Sequence, residues 1–362
     1  MLYKDFNMNQ LLCLIISFIC CQPLIAGVVV DIYGENKNTS EQILQKYSNK
    51  IVKIERYIID SYGTDQVFDE KKIETLVQKR EDLKEQIKKE YHLLYIDFSS
   101  TIYPGEKNSF ITIEVINHKE PDRLRFVQAD VKRESIDVNE KNRKNVIDDM
   151  LIYTRLGIPL SLKNLASQTN DACPVFHCFW GFNDKVLKPY LKVFNTGAVH
   201  ERQLIIDTLN NKKANPERRI AACYLVGHFS DPHDIVTALM PFVYDQDAGV
   251  RNAVMRVIGA TLEKAKMTQL DVSPFLDVLH SPYTTDRNKA LYVLLALANN
   301  QDAKHLIIKK GGDTLVALLK LKQPNNHGFA YMLLKKISGK DFGENNINAW
   351  RKWVISAKTS VA

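Results

Sequence analysis

The chain has 362 residues, of which 45% are hydrophobic and 25% charged, and its formal net charge is +7. This composition is ordinary for a globular protein, and it excludes a disordered chain that could not bury a core. The length allows two or three domains. The net charge permits an anionic partner but is too small for this length to require nucleic acid.

The first 26 residues have the pattern of an export signal. Lys4 precedes an apolar run at 11–21 that is too short to span a bilayer, and Ala26 offers a small residue for cleavage. We therefore predict a chain exported to the bacterial periplasm or secreted, cleaved after Ala26, with no transmembrane segment in its mature part. A buried strand or core helix is the alternative. Cys20 and Cys21 do not follow the small residues of a lipid-attachment signal.

Residues 27–130 are predicted to form an α+β module in the order strand, helix, helix, strand, strand. GVVVDIYG favours the first strand, Thr39 and Gln42 form a capping-box start for the first helix, and a long amphipathic pattern predicts the second helix. Two strands follow at 94–103 and 109–118. The last strand has two different faces, which alternate as Phe110, Thr112, Glu114 and Ile116 against Ile111, Ile113 and Val115.

This order of elements, with the segments VVVDIYGENKNTSEQIL and FITIEVINH, resembles the POTRA-type module of outer-membrane assembly and secretion proteins. The resemblance covers about a quarter of the chain, and the second helix is longer than in that family. It implies a protein partner, because such modules bind other chains by adding a strand to a sheet edge.

Residues 131–144 are almost wholly polar and are predicted to form a linker. From 145 to 355 the patterns are helical, and one theme recurs: an arginine followed by small and apolar residues at helical spacing. Arg219, Arg251 and Arg287 begin three copies, 32 and 36 residues apart, and a weaker fourth copy at 325–339 has Gly328 in place of the arginine. Because one helix pair would expose too much apolar surface, we expect the pairs to stack around a shared core.

The most regular copy resembles the HEAT repeat, whose pattern is carried here by Leu239, Pro241, Phe242, Val243, Asp245, Asp247, Val250, Arg251, Ala253, Val257, Ile258 and Gly259. The resemblance covers about 185–355. It implies an all-α HEAT-like solenoid after the α+β module, and a concave side that docks another protein.

The polar residues of the repeat are interpreted as structural. Asp245 and Asp247 precede a helix and are predicted to cap it. Arg219, Arg251 and Arg287 are predicted to reach back to the aspartate of the same or the preceding repeat, which forms a ladder of ion pairs.

Cys173 and Cys178 lie in a turn-like segment and are predicted to form a disulfide in an oxidising compartment. A zinc site that includes His177 and a pair of packed thiols are the alternatives; no second donor pair has ligand spacing. Cys223 is predicted to be a small core residue.

Six aromatic residues are concentrated just before the repeats: Phe176, Phe179, Trp180, Phe182, Tyr190 and Phe194. They are predicted to seal the first repeat or to form a joint with the N-terminal module. The alternative is an exposed surface on which Phe179, Trp180 and Phe182 contact a partner.

No catalytic residue, cofactor or metal site is predicted, because the sequence contains no GxSxG, HExxH, glycine-rich phosphate loop or calcium-loop signature. The densest polar group, His228, Asp231, His233 and Asp234, is interpreted as a capped turn, with a metal site as the alternative. Asp148 and Asp149 lie on adjacent helix faces and do not converge.

These observations favour a non-enzymatic scaffold or adaptor that binds another protein. Binding of a polyanion through the basic excess is an alternative, and would be lost at moderate salt. An enzyme acting on the concave face, as some HEAT-like lyases and glycosylases do, is a further alternative; it requires a series of acidic, basic or cationic groups on consecutive repeats.

Overall fold

The computed structural model describes residues 27–62, 69–102, 108–128, 136–162 and 173–361. Within these ranges a small three-stranded sheet lies near the N-terminus and helices follow it. The prediction of an α+β module before a helical region is therefore confirmed. The predicted export signal at 1–26 lies outside the described residues, and so does the 131–135 part of the predicted linker.

The N-terminal module contains β1 (Gly27–Tyr33), α1 (Lys37–Tyr62), α2 (Glu70–Glu90), β2 (Tyr95–Ile102) and β3 (Asn108–Ile116). β3 is the middle strand of the sheet: it pairs parallel with β1 and antiparallel with β2. The elements follow in the order that the sequence pattern predicts.

The start of α1 differs from the prediction. Asn36, rather than Thr39, is the capping side chain, since its Oδ1 accepts the backbone N–H of Thr39 at 3.1 Å. The helix therefore begins at Lys37, two residues before the predicted cap. Gly34 makes this early start possible: its φ is +102°, and a Cβ there would lie 2.0 Å from the carbonyl oxygen of Val115.

The two faces of β3 pack against different partners. Ile111, Ile113 and Val115 are fully buried in a core shared with α1 and α2. Thr112 and Glu114 on the opposite face are each only 1% exposed. The sheet is consequently a middle layer, with the module's helices on one side and the helical region on the other.

The helical region contains the following helices: α3 (Val146–Leu162), α4 (Lys188–His200), α5 (Arg202–Asn210), α6 (Pro216–Val226), α7 (Pro232–Leu239), α8 (Ala248–Ala265), α9 (Ser273–Val278), α10 (Thr284–Leu297), α11 (Gln301–Leu306), α12 (Gly312–Leu318), α13 (Pro324–Ser338) and α14 (Ile347–Val361). Short 3₁₀ turns cover Pro121–Phe126 and Met240–Phe242, and a π-turn covers Ile307–Gly311.

The longer helices α6, α8, α10 and α13 pack side by side in that order. A shorter helix precedes each of them in the chain and packs on it: α5, α7, α9 and α12 respectively. One apolar core runs through all of them, from Val146 in α3 to Val354 in α14. Each pair thus buries its apolar side on its neighbours.

The module and the helical region share a buried polar interface. Glu114 of β3 accepts hydrogen bonds from Arg287 at 2.6 and 2.9 Å and from the hydroxyl of Thr284 at 2.6 Å. Asp31 of β1 accepts the backbone N–H of Lys322 at 2.7 Å. Arg123 donates to the carbonyl oxygen of His280 at 2.8 Å. The described end of the predicted linker, 136–144, contains neither helix nor strand, yet the parts on either side of it are docked.

Replacing Glu114 by Ala is expected to lower the free energy of unfolding by about 3–5 kcal/mol, because Arg287 is then a buried cation without its carboxylate. Urea denaturation measures the change. Glu41→Ala is the control in the same module: Glu41 pairs with Lys37 on the surface, where the two side chains are 64% and 85% exposed, and its loss should cost less than about 1 kcal/mol. Equal effects of the two substitutions would contradict the role given to Glu114.

Candidate functional site

The repeated arginines lie in the first turns of α6, α8 and α10 and are all buried. Arg219 donates to Asp245 at 3.0 Å, and Arg251 donates to Asp286 at 2.9 Å. Arg287 completes the series with Glu114 of the module. The ladder of ion pairs therefore ends in the sheet rather than in a further repeat.

Arg219 and Arg251 reach forward along the chain of repeats, so the predicted direction, back to the aspartate of the same or the preceding unit, is wrong. Asp245 stands before α8, the neighbour that follows α6, and Asp286 stands in α10, the neighbour that follows α8. The arginine's own repeat supplies carbonyl oxygens instead: Asp245 for Arg251, at 2.6 Å, and Ser281 for Arg287, at 2.8 Å. One edge of each guanidinium faces the preceding turn, and its other edge faces the next helix.

The two aspartates before α8 have different roles. Asp247 is its N-cap and accepts the N–H of Val250 at 3.0 Å. Asp245 accepts the N–H of Asp247 at 3.0 Å while it holds Arg219. The same turn therefore caps α8 and supplies an ion pair of the ladder. Both aspartates are buried, so they are structural groups and do not form an open surface.

Phe179, Trp180 and Phe182 are only 5%, 1% and 6% exposed, so the alternative that they form an exposed partner contact is wrong. The indole of Trp180 packs on Gly157, where a Cβ would lie 2.1 Å from the ring, and its Nε1 donates to Thr154 at 3.0 Å. These rings pack in the same apolar core as α3 and the first long helices, as the prediction that they seal the first repeat requires.

Cys173 and Cys178 are joined by a disulfide. Both sulfur atoms are used in this bond, so neither is available as a thiolate for the alternative zinc site. The ammonium group of Lys264, at the end of α8, donates to the carbonyl oxygens of Cys173 and Val175 at 2.5 and 2.6 Å. Cys223 is fully buried, and burial raises the pKa of its thiol.

Two histidines near this segment are buried and neutral. The ring of His177 stacks on Tyr224 with a centroid distance of 5.4 Å, and burial holds its pKa well below the usual value. His228 lies 2.9 Å from the amide oxygen of Asn195, and burial lowers its pKa to about 3.

The other members of the polar turn at 228–234 point elsewhere. Asp231 caps α7 by accepting the N–H of His233 at 2.9 Å, and Asp234 pairs with Arg202. Across the described ranges, no group of three His, Cys, Asp or Glu residues is arranged to hold a metal ion. Asp148 and Asp149 do not converge either, since Asp148 pairs with Arg218 and Asp149 pairs with Arg143.

A different set of side chains forms a continuous, partly exposed surface across the long helices. We call it the α8–α13 strip, and its members are Arg256, Glu263, Lys289, Tyr292, Phe329 and Met332. Tyr292 is at its centre: its ring packs on Gly259 of α8 and contacts the ring of Phe329 edge-on at 6.3 Å. Its hydroxyl donates to Glu263 at 2.6 Å, and Met332 is 43% exposed.

The strip is cationic at one end and apolar at the other. Arg256 lies 5.6 Å from the centre of the Phe179 ring, and its Nε has no hydrogen-bond partner among the described residues. After burial, the charges of Arg256 and Lys289 both help to lower the pKa of His177. Sequence reasoning missed these residues, because they stand at ordinary helical positions beside the apolar stripe.

No protein-family model matches the chain, and no curated protein or solved structure matches it. In the segments that the structure describes, every helix is too short or too polar to cross a bilayer. The strip is therefore interpreted from its own geometry.

Arg251→Ala should lower the free energy of unfolding by about 3–5 kcal/mol, since Asp286 then becomes a buried carboxylate without its cation. Chemical denaturation tests this, with Arg202→Ala as the matched control. Arg202 and Asp234 are 45% and 53% exposed, so their pair should contribute less than about 1 kcal/mol. An unchanged stability of the Arg251 variant would reject the structural role of the ladder.

The double variant Cys173→Ser, Cys178→Ser should be less stable by about 2 kcal/mol, the entropy expected for opening a loop this short. The measurement is denaturation of both proteins without reductant. Adding dithiothreitol should bring the native protein to the stability of the variant and leave the variant unchanged. A response of the variant to dithiothreitol would contradict this assignment, because its remaining described cysteine is a buried free thiol.

Proposed function

We propose that this protein is an exported, non-enzymatic scaffold whose helical pairs stack as a HEAT-like solenoid and bind another protein through the α8–α13 strip. The observation that supports this proposal is the strip itself: adjoining aromatic, thioether and cationic side chains, partly exposed on three helices that pack side by side. Aromatic residues, Met and Arg are the residue types enriched at protein interfaces.

The framework beneath the strip favours binding without large rearrangement. α8 and α10 are almost wholly buried on their other sides, and their first turns are held by the arginine ladder. Side chains on such helices keep their positions before a partner arrives, which lowers the entropic cost of association. Tyr292 is held in addition by Gly259, Glu263 and Phe329.

The described module contacts a different part of these helices. The module covers the N-terminal turns of α8, α10 and α13, through contacts such as those of Gln128 with Asp247 and of Glu114 with Arg287. The strip lies further along the same helices, beyond those turns. A partner that presents an apolar side chain to Met332 and a carboxylate to Arg256 fits both ends of the strip.

Met332→Glu tests this proposal, because it places a charge at the apolar end of the strip. We expect it to weaken binding of the partner at least tenfold, with little change in stability, since Met332 is already 43% exposed. The partner is first captured from native envelope by the unmodified protein, purified, and then titrated against each variant by calorimetry.

Val199→Glu is the matched control: Val199 is 71% exposed on α4, away from the strip, and this variant should bind as the unmodified protein does. Tyr292→Ala should reproduce the loss seen with Met332→Glu. A captured protein that binds all three variants with one affinity would overturn the assignment of the strip.

A further inference from the structure

The entire positive excess of the chain lies in its last 62 residues. Residues 301–362 contain 11 Lys and Arg against four Asp and Glu, whereas the preceding 300 residues contain 38 of each. Ten of the 11 cations are lysines. The charge of +7 is therefore a local property of the last helices.

Three of the four acidic residues in this segment are already paired within it. Asp313 binds Lys358 at 2.6 Å, Asp341 binds Lys335 at 2.6 Å, and Glu344 contacts His327 at 2.8 Å. Of the nine other cations, Lys322 donates its backbone N–H to Asp31. The other eight form no ion pair with an acidic group of the described chain: Lys304, Lys309, Lys310, Lys320, Lys336, Lys340, Arg351 and Lys352.

The fold brings part of this set together at the end of the stack. α14 packs on α12 and on the π-turn that precedes it, with Val354 against Gly312. The outer side of α14 is exposed, and Ile355 there is 59% exposed. We call this surface the basic end, and its members are Lys309, Lys310, Lys320, Arg351, Lys352 and Ile355.

Some cations of the segment lie close enough together for the charge of one to lower the pKa of another. Burial lowers the pKa of Lys320, and the charge of Arg351 lowers it further. Burial likewise lowers the pKa of Lys336; the charge of Lys304 lowers it further, and the charge of Glu263 acts in the opposite direction. Like charges at such short range raise the energy of the free protein, and an anionic surface relieves that repulsion.

The chemistry of the basic end distinguishes among anionic partners. Arg is the residue suited to bidentate phosphate recognition in nucleic acids, and this surface is made almost wholly of Lys, a hydrated point charge. The two tryptophans of α14 offer no fully exposed ring for stacking on bases, since Trp350 is buried and Trp353 is partly buried. A broad lysine surface around one protruding aliphatic side chain matches an anionic lipid headgroup layer.

We propose that the basic end holds the protein against an anionic lipid bilayer, with the lysines and Arg351 over the headgroups and Ile355 between them. This attachment uses α12, α14 and the π-turn, whereas the α8–α13 strip uses other helices. The proposal is therefore independent of the proposed scaffold function, and either can fail without the other.

Flotation of the full chain with vesicles tests the proposal. Vesicles of phosphatidylcholine alone are compared with vesicles that contain about one third phosphatidylglycerol, at low salt and at about 0.5 M salt, where screening shortens the reach of the charges. We expect binding to the anionic vesicles only, and its loss at high salt. Residues 1–26 are the same in every variant, so a difference between variants reports the basic end.

The test variant reverses four charges of the basic end: Lys309→Glu, Lys310→Glu, Arg351→Glu and Lys352→Glu. Each cation near an anionic bilayer changes partitioning about fivefold, so a loss of at least about a hundredfold is expected. The control has the same net charge and reverses four exposed lysines of the module: Lys53→Glu, Lys71→Glu, Lys79→Glu and Lys119→Glu. It should retain most of the binding.

Three results would overturn the proposal: no binding of the unmodified protein to anionic vesicles, an equal loss in the control, or tighter binding to a DNA duplex than to the vesicles at the same salt. The variant Ile355→Ser distinguishes insertion of this side chain between the headgroups from attraction by charge alone. It should weaken binding severalfold and leave the salt dependence unchanged.

Discussion

The buried ion pair between Arg287 and Glu114 is the interaction on which the arrangement of the whole molecule depends. Arg287 ends the ladder of the long helices and at the same time holds the middle strand of the sheet. A buried pair adds little net stability over apolar packing, but a misplaced partner leaves an uncompensated charge that costs several kcal/mol. The pair therefore acts mainly by specifying one docked position of the module.

This position makes the two parts of the chain a single framework. Because the polar face of β3 lies in the interior, Glu114 needs partners there, and the first turn of α10 supplies them. The module in turn covers turns that would otherwise expose the polar groups of the ladder. The α8–α13 strip is left partly accessible on the long helices, so the docking contact leaves this proposed surface within reach of a partner.

Local patterns predicted much of this fold from the sequence. The period of two along 109–118 predicted β3 and its two faces, and the recurring arginine predicted the sequence of helical pairs. The direction of the ladder was not predictable in this way, since it depends on which helix lies beside each arginine. Glu114 was visible only as one polar residue of an alternating strand, because its partner lies 173 residues away.

The site itself was less predictable for a related reason. The aromatic residues concentrated at 176–194 were predicted to seal the first repeat, with an exposed surface as the alternative, and those near Trp180 are indeed interior. The half-buried rings of the strip, Tyr292 and Phe329, are isolated in the sequence. Composition cannot separate these cases, because a large ring is equally suited to a core and to an interface. The charge of the last 62 residues, in contrast, can be counted directly from the sequence, and only its clustering on α14 and the adjoining turns required the fold.

The two proposed surfaces are linked by the order of packing. α14 lies against α12 at the end of the stack, and the strip runs from α13 back to α8 along the same stack. One apolar core joins the helices of the basic end to those of the strip. In a molecule attached to a bilayer by its basic end, the strip would therefore be held in a fixed position relative to the membrane. Since the two surfaces share no residue, attachment and partner binding are separable by substitution, while the rigid stack keeps the partner at a defined orientation to the lipid surface.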